Sequence, residues 1–89
     1  PQYCALPEER VPCAEEQKFG VVERLKEKLA AQYRISDIDG VKVLFPDGWG
    51  LVRPSNTGPE LTMRFEAKTA DRTREIESLV KGYLRPLLQ

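Results

Sequence analysis

The chain has 89 residues, which suits one domain with one small core. Its 14 lysines and arginines balance 14 aspartates and glutamates, so the net charge is zero. That balance speaks against a duplex nucleic-acid binder, whose affinity comes from an excess of basic side chains, and against a polybasic membrane-surface role.

No apolar run approaches the roughly 20 residues of a membrane span. The opening PQYCALPEER has no basic stretch followed by an apolar one, so it does not read as a secretory signal, and a cytoplasmic location is expected. It also lacks an initiator methionine. The chain therefore reads as cut from a longer protein or processed, or as having lost its methionine before Pro1. Cys4 and Cys13 are too few for a disulfide framework or a metal site and read as two thiols. The absence of histidine removes the commonest zinc ligand and the commonest general base.

Residues 1–13 contain Pro1, Pro7 and Pro12 with little periodicity, and read as an extended arm or a short strand. From Ala14 the pattern is helical. Glu15 and Glu16 suit a first turn, and Phe19, Val22, Leu25, Leu29 and Tyr33 recur at helical spacing, which predicts a helix over 14–33. Ile35 to Gly40 alternates briefly and ends in the turn pair Asp39-Gly40. Residues 41–45 read as a strand, 46–48 as a turn set by Pro46 and Gly48, and 49–53 as the next strand. Over 60–67, Leu61, Met63, Phe65 and Ala67 face one way and Glu60, Thr62, Arg64 and Glu66 the other. Thr69 can cap a last helix with Asp71 in its first turn, and Ile76, Leu79, Val80, Tyr83, Leu84 and Leu87 form its apolar stripe. Pro86 falls near the end, where a break costs little. The expected fold is an α+β two-layer domain: an antiparallel sheet of about four strands with two helices on one face.

The connection after the third strand is longer than a tight hairpin and unusual in content: Arg53-Pro54-Ser55-Asn56-Thr57-Gly58-Pro59. A phosphate dianion calls for a guanidinium, converging hydroxyl and amide donors, and backbone N–H groups curled into a concavity. Stiffness limits the entropy lost on binding. Arg53 offers the first, Ser55, Asn56 and Thr57 the second, Gly58 the curl, and Pro54 and Pro59 the stiffness. An ordinary surface turn uses the same residue types for conformational reasons. There is no Walker-type Gly-Lys-Ser/Thr, no G-x-G-x-x-G and no glycosylation sequon at Asn56. Trp49 reads as core or interdomain contact, Arg64 as a cross-strand partner for a glutamate, and residues 23–28 as a solvated helix face. Asp37 and Asp39 read as a solvated turn and not as metal ligands.

The stretch DGVKVLFPDGWGLVRPSNTGPELTMRFEA resembles the C-terminal domain of the α-D-phosphohexomutase superfamily, in its bacterial phosphomannomutase/phosphoglucomutase branch. That branch reads D-G-V-x-V, G-W-G-L-V-R, [AP]-S-N-T-x-P and L-x-x-R-F-E-A, and the likeness runs over roughly residues 14 to 87, with Gln17-Lys18-Phe19 similar to its helix start. The resemblance implies the fourth domain of such an enzyme, with a TATA-binding-protein-like fold, spanning 14–89, with residues 1–13 leading in from a preceding domain. It implies that Arg53, Ser55, Asn56 and Thr57 grip the non-reacting phosphate of a hexose phosphate while a phosphoryl group passes between positions 1 and 6. It places Mg2+ and a phosphoserine in the other domains, so no catalytic and no metal-binding residue is expected in this chain. The expected partners are a glucose or mannose phosphate and the preceding domains, with no nucleic acid and no membrane. Gly58 departs from many relatives, which place Glu or Thr before the proline. The competing reading is a free-standing ligand-binding or protein-interaction module that kept the fold and has no catalysis.

Overall fold

The computed structural model describes residues 3–88. In chain order the elements are β1 (Cys4–Ala5), β2 (Glu9–Pro12), α1 (Lys18–Ala30), β3 (Arg34–Ser36), β4 (Val41–Phe45), β5 (Gly48–Pro54), β6 (Glu60–Ala67), α2 (Ala70–Leu84) and a closing 3-10 turn, Arg85–Leu88. All strand pairs are antiparallel. The sheet runs β1-β6-β5-β4-β3, with β2 also paired along β6. The α+β class stands, but six strands replace the expected four. The additions are the two short edge strands β1 and β2, whose mostly exposed residues carry no clean alternation to read.

The inner rows of the sheet follow from register. Val41, Val52 and Met63 lie side by side, as do Val43, Gly50 and Phe65. All six are buried. Gly50 leaves little room there: a Cβ would lie 3.0 Å from the Phe65 ring and 3.2 Å from Ile76, crowding the space where α2 seats on the sheet. The two helices pack against the sheet and touch each other, α1 on β3 to β5 and α2 on β5, β6 and β1. Val21, Val22, Leu25 and Leu29 from α1 and Ile76, Val80 and Leu84 from α2 complete the core. Each such aliphatic side chain contributes roughly 1.5–3 kcal/mol on burial.

The boundaries of α1 differ from expectation. Residues 14–17 form a turn, closed by Gln17 and Lys18 N–H donating to the Ala14 carbonyl at 2.9 and 3.0 Å. Glu15 and Glu16 therefore precede the helix, and its first turn holds no acid. Phe19, expected on the core stripe, is 64% exposed, while Lys18 beside it is 3% exposed. Tyr33 falls after the helix and packs edge-on against Phe45 and Tyr83 at ring-centroid distances of 5.6 and 6.2 Å. α2 begins as read: Thr69 caps it by accepting from the Arg72 N–H at 3.0 Å, with Asp71 in the first turn.

The second face of the sheet carries no helix and shows Lys42, Leu44, Trp49, Leu51, Arg53 and Arg64. Trp49 is thus half-buried on the outer face and outside the core, with the Lys42 ammonium 4.4 Å from its ring centroid. Arg64 lies opposite Leu51 and makes no ion pair among the described residues, so the expected cross-strand glutamate is not its partner.

Candidate functional site

The β5–β6 connection is shorter than the sequence suggested. Arg53 and Pro54 belong to β5, in register with Thr62 and Leu61, and the loop proper is 55–59. Alternation along β5 sends Val52 inward and leaves Arg53 half-buried on the outer face at the loop's foot. Its guanidinium makes no ion pair and no side-chain hydrogen bond among the described residues.

The loop is closed from within. Ser55 N–H donates to the Glu60 carbonyl at 2.9 Å, and Glu60 N–H donates to the Gly58 carbonyl at 2.8 Å. The Ser55 hydroxyl oxygen accepts from the Thr57 N–H at 3.1 Å, a serine turn, and lies 3.2 Å from the Thr57 hydroxyl. Ser55 is buried, whereas Asn56 and Thr57 are exposed at the tip. The four side chains expected to act together therefore divide. Arg53, Asn56 and Thr57 are available to a ligand, and Ser55 chiefly shapes the curl that presents them.

Three further residues hold the loop in place, and the sequence alone did not mark them as part of a site. Lys18, the first residue of α1, donates from Nζ to the Ser55 carbonyl at 2.6 Å and to the Gly58 carbonyl at 3.0 Å. Its remaining donor meets the Glu15 carboxylate at 3.0 Å. Cys13 N–H donates to the Pro59 carbonyl at 2.8 Å. Burial pushes the Cys13 thiol up, against smaller downward pulls from Arg24 and Lys18. Gly40 is the third. Asp39 and Gly40 both have positive φ, 61° and 106°. A Cβ on Gly40 would lie 2.5 Å from the Val52 carbonyl and 2.7 Å from the Arg53 Cβ. The Asp39-Gly40 pair is thus more than a turn signal, because it lets the β3–β4 connection pass against the backbone that carries Arg53.

An open cleft of about 260 Å3 runs beside the loop, lined in part by Phe19, Asp37, Asp39, Pro54 and Asn56. Among the described residues no group of three or more His, Cys, Asp or Glu side chains could hold a metal ion. Nor is there a helix long and apolar enough to cross a membrane. What the arrangement can do is bind an oxyanion: a free guanidinium, two exposed polar side chains and a stiff loop whose carbonyls at 55 and 58 are turned to Lys18.

Residues 8–81 match the family model described as phosphoglucomutase/phosphomannomutase, C-terminal domain. The chain belongs to this family. It is 37% identical over 86 residues to a phosphomannomutase/phosphoglucomutase of Pseudomonas aeruginosa, covering 96% of this chain and 19% of that protein. It is 38% identical over 85 residues to a probable phosphoglucosamine mutase of Methanothermobacter thermautotrophicus, covering 90% of this chain and 19% of that one. A crystal structure of a phosphoglucomutase/phosphomannomutase family protein from Burkholderia thailandensis superposes with a TM-score of 0.81 at 27% identity, over 98% of this chain and 18% of the other. The phosphoglucomutase/phosphomannomutase C-terminal domain described here spans about a fifth of the length of these curated relatives.

Proposed function

We propose that this domain grips the non-reacting phosphate of a hexose phosphate within a phosphohexomutase of the phosphomannomutase/phosphoglucomutase type. The observation that carries this reading is the Arg53 guanidinium, without a side-chain partner among the described residues, beside a loop whose exposed tip, Asn56 and Thr57, is tied from beneath by Lys18. Such a grip supplies binding energy at a distance. Holding one phosphate fixes the sugar, so that its other end meets the reacting group in a defined orientation. Intramolecular transfer between positions 1 and 6 is the reaction of the enzyme as a whole. The family resemblance places magnesium and the phosphoserine in the other domains of such an enzyme.

The test is an amide NMR titration of the 89-residue chain with glucose 1-phosphate, with glucose and the Arg53→Ala variant as controls. Shifts centred on residues 53–58 are expected, absent with glucose and in the variant. A dissociation constant of about a millimolar or weaker is expected, since one phosphate grip gives roughly 4 kcal/mol. Equal shifts with glucose, or undiminished binding by Arg53→Ala, would count against the reading.

A further inference from the structure

Lys18 is placed where neither helix nor core favours a cation. It is the first residue of α1, at the positive end of the helix dipole. It is 3% exposed, and a buried ammonium is tolerated only when its donors are satisfied. All three are: the Ser55 carbonyl, the Gly58 carbonyl and the Glu15 carboxylate. Two of the three partners are carbonyls of the candidate loop. The third is a carboxylate whose side chain is 64% exposed, so solvent screens its compensation of the charge.

From this geometry we infer that Lys18 is the positioning residue of the phosphate grip, a clasp from beneath that also places a positive charge under the site. The inference rests on the phosphate reading above. With its donors spent on the protein, Lys18 touches no ligand. By drawing the carbonyls of residues 55 and 58 toward itself it keeps their negative ends away from an incoming anion. It also holds Asn56 and Thr57 at the tip in one arrangement before the ligand arrives. Its charge then acts through a poorly solvated layer, where it is screened less than a surface lysine would be.

Two variants separate these roles. In Lys18→Met the Ser55 carbonyl loses its side-chain donor, and heteronuclear NOE values for amides 56–58 should fall while those of Met63 and Phe65 in β6 hold. Affinity for glucose 1-phosphate should weaken about tenfold or more, the scale of losing charge-assisted order at the site. In Glu15→Gln both carbonyl contacts stay and the charge beneath the loop is less compensated. Binding should tighten about two- to threefold at low salt, with the gain shrinking as salt is added. In the double variant Lys18→Met/Glu15→Gln that gain should vanish, whereas a charge effect independent of Lys18 would persist. The inference is overturned if Lys18→Met keeps an ordered loop and binds within about twofold of the unaltered chain. Should Lys18→Met fail to fold, unchanged or weaker binding by Glu15→Gln overturns it and tighter binding supports it. If the unaltered chain shows no phosphate-dependent shifts while Lys18→Met still loosens the loop, the phosphate reading falls and the clasp stands.

Discussion

At its first residues β5 leaves the β4–β5 turn, where Arg72 of α2 is engaged by two carboxylates and a ring. Its Nε donates to both Asp47 carboxylate oxygens at 3.0 and 3.2 Å, its Nη1 to Glu75 at 3.1 Å, and its guanidinium lies 4.9 Å from the Phe45 ring centroid. These hydrogen bonds, Asp47 first, raise its pKa further. At the far end of the same strand, Arg53 is held in place by its backbone and pairs with nothing among the described residues. Two arginines at opposite ends of one strand, Arg53 within it and Arg72 reaching it from α2, thus illustrate two uses of the same group. A guanidinium that fastens the fold is tied down by two carboxylates and a ring, with Nε and Nη1 engaged. One available to a ligand is left open, and the fastening is done instead by Lys18 underneath, through carbonyls.

The sharpest way to break that comparison is at Gly40. In Gly40→Ala the new methyl meets the Val52 carbonyl and the Arg53 backbone at a positive φ. A loss of about 3 kcal/mol is expected, read as a thermal midpoint lower by roughly 10–20 °C in calorimetry. A midpoint within a few degrees of the unaltered chain would show that the β3–β4 turn does not hold the Arg53 end. Next in size is the exchange of effects between the two arginines. Arg53→Ala should cost at least about tenfold in glucose 1-phosphate affinity with stability within about 0.5 kcal/mol. Arg72→Ala should do the reverse, losing about 1 kcal/mol in a urea titration, since the pair is partly exposed, while binding is unchanged. Equal effects of the two on binding would dissolve the distinction.

The smallest expected effect concerns Cys13, whose backbone N–H holds the end of the loop. Burial raises its thiol, so the folded chain keeps the proton longer than the unfolded chain does. Its contribution to stability is present below the ordinary thiol range and fades as pH rises through it toward the folded value. Exposed Cys4 should react promptly with a thiol reagent at mildly alkaline pH, and Cys13 at least about tenfold more slowly. Equal rates would mean that the loop's anchor opens freely.

Much of this was legible in the sequence, for physical reasons that also mark where reading failed. The inner row of β6, Leu61, Met63, Phe65 and Ala67, was visible residue by residue because one face is buried, whereas β4 and β5 were read as strands and Trp49 proved to lie on the outer face. The start of α1 was misread because acids at 15 and 16 suit a first turn equally well when the turn closes before the helix. Phe19 was placed inward because hydrophobic spacing assigns phenylalanine to a core and lysine to solvent. The structure inverts them, since Lys18 finds carbonyl partners only a folded loop can offer. β1 and β2 were read only as an extended arm or a short strand, because edge strands with prolines owe their form to β6. At the candidate site the sequence grouped Arg53, Ser55, Asn56 and Thr57, but spacing could not reveal that the Ser55 hydroxyl would face its own loop. Nor could it show that Gly40, distant in sequence, would touch Arg53.

The alternation of β5 has one more consequence. Val52 lies within the core and Arg53 on the open face, so the identity of the site is a matter of parity. Adding or deleting a single residue between the turn and Arg53 would turn the guanidinium into the core and set a valine beside the ligand loop. Changes of two residues conserve the face, though they shift the height at which the cation stands. A lineage inheriting this strand can therefore vary the open-face side chains other than Arg53 more easily than it can change the strand's length by an odd number of residues.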